Sequence, residues 1–173
     1  MTSYKLDKLT ERELRVGARS LFKAVHAIHS VGFLHGDVRP QSIFLNRSNT
    51  SGKTTLSLGD FERCCPIEVQ AEQEAHVEKE TARLLYLAPE AIQSGERDTT
   101  PASEVWSLGV TMYVLATGRY PFTTPEAIRQ AELTWPKETP LSTEFRNMIT
   151  AMLEKEHMQR PALDEIIKRA SWF

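Results

Sequence analysis

The sequence predicts a mainly α-helical domain with one small β-hairpin, and three observations carry that prediction. Thr10 and Glu13 form a capping-box pair, which is followed by apolar residues at helical spacing, namely Leu14, Ala18, Leu21, Phe22, Val25 and Ile28. Residues 105–116 are apolar on nearly every side, which is typical of a helix in the middle of a domain. Between these two helices, short apolar pieces at 43–45 and 56–58 flank a polar turn and predict the hairpin.

Capping residues, prolines and glycines predict where the helices begin and end, taken here in chain order. Gly32 stands where a left-handed C-terminal cap would end the first helix. Thr100 and Pro101 give the second long helix an N-cap and a first-turn proline, and Gly118 ends it. The same kinds of signal predict three further helices, at about 124–133, 142–154 and 161–170.

Residues 60–90 are predicted to be mostly irregular. They are rich in charge and show no hydrophobic period before Leu84, and a short helix is one option for their glutamate-rich part. Connecting segments of this kind lie on the surface and often carry function. We therefore expect the natural mobile element of the chain here.

Composition and charge limit the class of protein. With 173 residues, 40% hydrophobic and 25% charged, the chain fits one soluble globular domain. The net charge of -2 gives no electrostatic reason to expect a nucleic acid or an anionic membrane as partner. No apolar run approaches the roughly 18–20 residues of a membrane span, and the polar N-terminus lacks the core of a signal peptide. The adjacent cysteines Cys64 and Cys65 do not suit a disulfide framework or a zinc site, so we expect a cytoplasmic protein, with the nucleus as the alternative.

Short motifs along the chain are more specific than its composition. They are His35-Gly36-Asp37-Val38-Arg39-Pro40-Gln41-Ser42, Gly59-Asp60-Phe61-Glu62, Ala88-Pro89-Glu90, the run 104–109 and Arg160-Pro161. In order and spacing they resemble the catalytic loop, the metal-binding turn, the end of the activation segment and the following helices of a eukaryotic protein kinase. The resemblance covers essentially the whole chain and implies the C-terminal lobe of that family.

The resemblance divides the kinase-like domain, residues 1–173, into a catalytic-loop region at 33–45, an activation segment at 60–90 and a helical subdomain at 100–173. Only 34 residues precede His35, and they contain neither the glycine-rich loop nor the strand lysine with which kinases grip ATP. We therefore expect the N-terminal lobe to be absent. Mg-ATP binding by the chain alone is then expected to be weak or missing, because half a cleft buries too little of the nucleotide.

Two residues resemble the chemical groups of the catalytic loop. Asp37 takes the place of the aspartate that orients the substrate hydroxyl and accepts its proton. The alternative is a structural aspartate that bonds local amides. Arg39 sits where kinases usually carry a lysine that touches the transferring phosphate, and a partly solvated surface arginine is the alternative there.

Two further residues resemble the cofactor-binding positions. Ser42 stands where the family places a magnesium-binding asparagine, but serine is shorter, so we expect it to bond the loop backbone instead. Asp60 matches the aspartate that binds the metal ions, and any metal expectation rests on it. Glu62 replaces a glycine, which restricts the turn.

The resemblance assigns architecture rather than chemistry to His35, Phe61, Glu90, Glu104 and Arg160. His35 and Phe61 resemble members of the stacked hydrophobic spine, which Glu104 would anchor from the central helix. Glu90 and Arg160 match a buried ion pair that ties the activation segment to the last helices. Gly36 replaces an arginine that pairs with phosphorylated activation loops in many relatives, so that form of switching is not expected.

The sequence supports two functions. The leading one is a catalytically impaired, pseudokinase-like module that binds other proteins, because Ser42 and Glu62 depart from the family pattern and no ATP-gripping lobe is expected. The alternative is a fragment of a longer serine/threonine kinase that transfers phosphate from ATP to protein, which the survival of Asp37 and Asp60 favours. A decoy that holds kinase substrates without phosphorylating them is a third option. The sequence does not identify a partner or an oligomeric state.

Overall fold

The computed structural model describes residues 9–47, 54–68, 81–94, 99–169 and 171–173. This part of the chain contains seven α-helices and two antiparallel sheets of two strands each. The helices and strands, in chain order, are α1 (Glu11–Ser30), β1 (Phe33–Leu34), β2 (Ile43–Arg47), β3 (Thr54–Leu58), β4 (Cys65–Pro66), α2 (Thr81–Leu84), α3 (Pro89–Gln93), α4 (Pro101–Thr117), α5 (Pro125–Gln130), α6 (Thr143–Met152) and α7 (Leu163–Arg169). The predicted mainly helical class with a small hairpin is confirmed.

The two long helices form for the reasons that the sequence indicates. Thr10 and Glu13 close a reciprocal capping box on α1, and Gly32, just beyond that helix, has a φ of 81°. Thr100 caps α4, and Gly118 ends it in the left-handed conformation, with a φ of 70°. α4 is buried on nearly every face and packs against α1 and α6, so it forms the centre of the core.

The shorter elements differ from the prediction in detail. α5 ends at Gln130, before the predicted 133, because Ala131 adopts the left-handed conformation, with a φ of 56°. α6 and α7 lie within the predicted 142–154 and 161–170. Two stretches of the prediction, the glutamate-rich part at 69–80 and the hairpin turn at 48–53, lie outside the described residues, as does position 170.

The two sheets bring distant parts of the chain together. In the predicted hairpin, β2 pairs with β3 from Ile43 opposite Leu58 to Arg47 opposite Thr54. The second sheet, which pairs β1 with β4, was not predicted. It places the turn after β3 beside the loop after β1. Within the described ranges, no helix has the length and apolar character that crossing a membrane would require.

Candidate active site

The loop of residues 35–42, called the Asp37 loop below, is fixed by the elements on either side of it. It follows β1 and ends in a 3₁₀ turn at Pro40–Ser42, in which the Ser42 amide donates to the Arg39 carbonyl at 2.9 Å. From α4, the Thr111 hydroxyl donates to the Val38 carbonyl at 3.0 Å. This hydrogen bond attaches the Asp37 loop to α4, the central helix.

Asp37 is buried between two arginines. Its Oδ2 lies 2.8 Å from Nε of Arg39, and its Oδ1 lies 3.6 Å from Nε of Arg83. Burial raises the pKa of the Asp37 carboxyl above its ordinary value, although Arg39, Arg83 and Arg63 pull in the opposite direction. Asp37 and Arg39, which the sequence singled out separately, thus lie together, and Arg83 and Arg63, which it did not single out, also act on the carboxylate.

Ser42 faces the backbone of its own loop. It is completely buried, and its hydroxyl donates to the Asp37 carbonyl at 2.7 Å. The main chain also connects Ser42 to the turn at residues 59–62, since the Gly59 amide donates to the Ser42 carbonyl at 2.9 Å. The Ser42 hydroxyl is therefore buried, and its proton is used within the loop.

Asp60 and Phe61 follow β3 in a turn that is open to solvent. Asp60 has a φ of 61°, a left-handed conformation that aspartate tolerates better than most residues. Phe61 is 52% exposed, and its ring centroid lies 5.0 Å from that of His35. His35 in turn donates through Nε2 to the Gly59 carbonyl at 2.9 Å. The His35 and Phe61 rings are thus in contact at an interplanar angle of 59°, beside an exposed Asp60 carboxylate.

The residues present do not fit the two-ion magnesium site of the kinases. Such a site needs an asparagine amide and an aspartate as ligands. Here position 42 holds a completely buried serine whose hydroxyl donates into the loop, and Asp60 is the exposed ligand position. Among the described residues, no group of three or more His, Cys, Asp or Glu side chains could hold a metal ion. Of the two family ligand types, the aspartate is therefore present and the asparagine is not.

Glu104 anchors the Asp37 loop to the central helix. Through Oε1 it accepts a hydrogen bond from the Gly36 amide at 2.5 Å. Its other oxygen, Oε2, lies 2.8 Å from Nε2 of His29 on α1. Sequence reasoning missed His29, because nothing in its neighbourhood indicates a contact with a residue 75 positions away.

Arg160 and Glu90 form a bidentate ion pair. The two N–O distances are 2.6 Å and 2.8 Å. The same guanidinium donates to three carbonyls, those of Ala102, Glu154 and Lys155, and it lies 5.1 Å from the ring centroid of Trp106. The pair joins the start of α3 to the segment before α7, a structural role rather than a chemical one.

Tyr86 lies near Asp37 and Arg39, on the segment that follows Arg83. Its carbonyl accepts a hydrogen bond from the Ser107 hydroxyl at 2.8 Å, and its ring packs edge-on against Tyr120. Burial, together with a hydrogen bond to Tyr120, raises the pKa of the Tyr86 phenol well above its ordinary value. Tyr86 is therefore a neutral, buried support of the segment that carries Arg83.

Comparison with known proteins identifies the family. The model of the protein kinase domain matches residues 2–173. The probable serine/threonine-protein kinase CCRP1 of Zea mays is 29% identical over 167 residues, which cover 93% of this chain and 25% of the maize protein. The cell cycle serine/threonine-protein kinase CDC5/MSD2 of Saccharomyces cerevisiae is 29% identical over 171 residues, covering 95% of this chain and 23% of the yeast protein.

A third relative matches a shorter stretch more closely. The maternal embryonic leucine zipper kinase of Xenopus laevis is 34% identical over 116 residues, covering 67% of this chain and 17% of the frog protein. The chain thus spans a quarter or less of the length of these three relatives. Because the family model matches nearly every residue, the chain belongs to the protein kinase domain family.

Proposed function

We propose that this chain is the C-terminal lobe of a protein kinase domain in which phosphoryl transfer is impaired, and that it binds other proteins. The observation that carries the proposal is the hydrogen bond from the buried Ser42 hydroxyl to the Asp37 carbonyl, at 2.7 Å. It leaves the position that binds magnesium in active relatives without a ligand directed at the cleft.

The chemistry of the family explains why this contact matters. Phosphoryl transfer depends on metal ions that bridge the phosphates and neutralise developing charge, and the protein adds little covalent chemistry of its own. Serine is shorter than asparagine, and the Ser42 hydroxyl is completely buried and donates into the loop, so it does not replace the amide oxygen as a ligand. With Asp60 as the remaining carboxylate of the two-ion site, we expect nucleotide to be held weakly and turnover to be slow.

Exposed apolar side chains support the protein-binding part of the proposal. Phe44 on β2 is 62% exposed, and Phe61 in the turn after β3 is exposed by more than half of its surface. A Cβ built on Gly59 would lie 2.4 Å from the edge of the Phe44 ring, so Phe44 lies beside the residue that precedes the turn with Phe61. Large aromatic groups left open in this way are typical of surfaces that another protein covers.

Thermal unfolding of the purified chain with and without Mg-ATP tests the proposal. We expect no magnesium-dependent stabilisation of the natural sequence, whereas a site filled 100-fold above its dissociation constant would add about 2.7 kcal/mol. Ser42→Asn restores the missing ligand type, and Ser42→Ala is the matched control. A magnesium-dependent shift in Ser42→Asn alone would separate the effect of position 42 from that of the half cleft. Phosphotransfer by the natural chain that Asp37→Ala abolishes would overturn the proposal.

A fragment of an active serine/threonine kinase is the second candidate. It is favoured by the retention of Asp37 and Asp60, and by the names of the maize and yeast relatives. A longer transcript that encodes a glycine-rich loop and a strand lysine in frame would support it, and the longer protein would then phosphorylate protein substrates. If that longer protein lacks activity while Ser42→Asn restores it, the impaired-kinase proposal stands.

A further inference from the structure

Arg83 reaches the Asp37 loop from α2, a short helix in the activation segment. The turn after this helix fixes its backbone, since the Tyr86 amide donates to the Arg83 carbonyl at 3.0 Å. The Arg83 side chain is 11% exposed, so its guanidinium is directed into the protein rather than toward solvent. A long, charged side chain is rarely buried unless it is paired. The acceptor groups that the Arg83 guanidinium contacts therefore indicate its role.

Those contacts are made to two consecutive residues of the Asp37 loop. Nη2 of Arg83 donates to the Gly36 carbonyl at 3.3 Å, and Nε lies 3.6 Å from Oδ1 of Asp37. Arg39 approaches the other carboxylate oxygen at 2.8 Å. Each oxygen of Asp37 thus faces a guanidinium. One of these belongs to the loop itself, and the other arrives from a residue 46 positions further along the chain.

Gly36 shapes the loop at the point where Arg83 binds. It has a φ of 79°, and a Cβ placed on it would lie only 2.3 Å from the carbonyl oxygen of Arg63. A residue with a side chain therefore cannot occupy this position unless the turn before β4 moves. The loop keeps a bare backbone here, and Arg83 takes the carbonyl of that backbone as its acceptor.

We propose that Arg83 controls access to Asp37, by occupying the place from which a substrate hydroxyl would have to approach the carboxylate. A hydroxyl that donates to Asp37 needs a carboxylate oxygen within about 2.6–3.2 Å. Both oxygens face arginines, and Asp37 is only 7% exposed, so that place is closed until α2 moves. The inference rests on the proposed function only in treating Asp37 as the aspartate that faces the phosphate acceptor.

Carboxyl labelling of the purified chain tests this inference. A carbodiimide with glycine ethyl ester converts accessible carboxylates to amides, and mass spectrometry of the digested protein gives the rate at each site. Arg83→Gln removes the charge and shortens the side chain, so that it no longer reaches Asp37, and we expect the labelling rate of Asp37 to rise several-fold. Arg129→Gln is the matched control, because Arg129 pairs with Glu126 on the exposed surface of α5 and must leave the Asp37 rate unchanged.

The buried Glu104 is an internal reporter of folding in the same experiment. If labelling of Glu104 rises together with that of Asp37, the variant has unfolded and Arg83→Lys decides instead. Lysine keeps the charge but cannot span the Gly36 carbonyl and the Asp37 carboxylate with one planar group, so an intermediate Asp37 rate is expected. Equal Asp37 rates in the natural chain and in the folded variants would overturn the inference. This outcome is separate from phosphotransfer or Mg-ATP binding, on which the proposed function depends.

Discussion

The Glu104 carboxylate lies 2.8 Å from the His29 ring and joins two elements that are far apart in the sequence. His29 lies in the last turn of α1, whereas Glu104 lies in the first turn of α4 and accepts a hydrogen bond from the Gly36 amide with its other oxygen. The two side chains are 10% and 3% exposed, respectively. The Glu104 carboxylate therefore connects the end of α1 to the Asp37 loop. Because both side chains are largely buried, solvent weakens these contacts little.

We expect this connection to appear as an energetic coupling. In a double-mutant cycle with His29→Ala and Glu104→Ala, the coupling energy should be about 0.5–3 kcal/mol, measured by urea unfolding. Glu104→Ala alone should cost more than His29→Ala, since it also leaves the Gly36 amide without its acceptor. The exposed pair Glu126 and Arg129 is the control cycle, with a coupling below about 1 kcal/mol. Additive effects at positions 29 and 104 would contradict the connection.

Gly36→Ala should be far more damaging than Gly32→Ala. Both glycines have a positive φ, of 79° and 81°, so both substitutions carry the left-handed penalty of about 1–2 kcal/mol. A Cβ at Gly32 meets no atom within 4 Å, whereas at Gly36 it meets the Arg63 carbonyl at 2.3 Å. We therefore expect Gly36→Ala to cost more than about 4 kcal/mol or to prevent folding. Equal melting temperatures for the two variants would show that the turn carrying Arg63 yields easily.

Arg160→Ala should destabilise the domain by about 3–5 kcal/mol, because it strands the Glu90 carboxylate. The two partners are not equivalent, however. Arg160 also satisfies the carbonyls of Ala102, Glu154 and Lys155, which Glu90 does not contact. We therefore expect Arg160→Ala to lower the melting temperature more than Glu90→Ala. The reverse order, or unchanged stability in both variants, would contradict the role assigned to this pair.

Much of the fold could be predicted from the sequence because its signals are local. The capping box of α1 and the Thr100 cap of α4 close within four residues, and the strands of the hairpin carry their own apolar pattern. The β1–β4 sheet could not be found in this way, since two-residue strands show no alternation. The end of α5 was placed too late because Ala131, unlike glycine, gives no sign of a left-handed conformation.

The residues of the candidate site also fall into those that the sequence predicts and those that only the tertiary structure reveals. Asp37, Arg39, Ser42 and Asp60 stand in recognisable motifs, whereas nothing in the sequence pointed to His29 or Arg83. These two residues reach their partners only after the chain has folded, from 75 and 46 positions away, respectively. A basic side chain in an irregular segment has no pattern that specifies its acceptor. Contacts of this type need the tertiary structure, and they are the ones that bear on access to the site.

Glu11 should make the stability of the domain sensitive to acid. Its carboxylate accepts hydrogen bonds from the Ser142 hydroxyl, from the Ser142 amide at 2.7 Å and from the Trp172 indole at 2.7 Å. Burial alone would raise the pKa of Glu11, but these hydrogen bonds outweigh burial and lower it below the ordinary value of 4.5. The folded state therefore binds fewer protons at this site than the unfolded state. The resulting stabilisation is present above pH 4.5 and is lost as the pH falls through the lower, folded pKa.

Glu11→Gln removes the charge while keeping one acceptor, so it should cost about 1.5–3 kcal/mol at neutral pH. It should also flatten the fall in unfolding free energy below pH 4.5, since the variant has no proton to gain at this position. Urea unfolding of both proteins across that range measures the difference. Glu144→Gln, which changes an exposed glutamate in the first turn of α6, is the matched control and should keep the acid dependence of the natural chain. If the two proteins lose stability in parallel on acidification, the link between α1, α6 and Trp172 does not depend on the charge of Glu11.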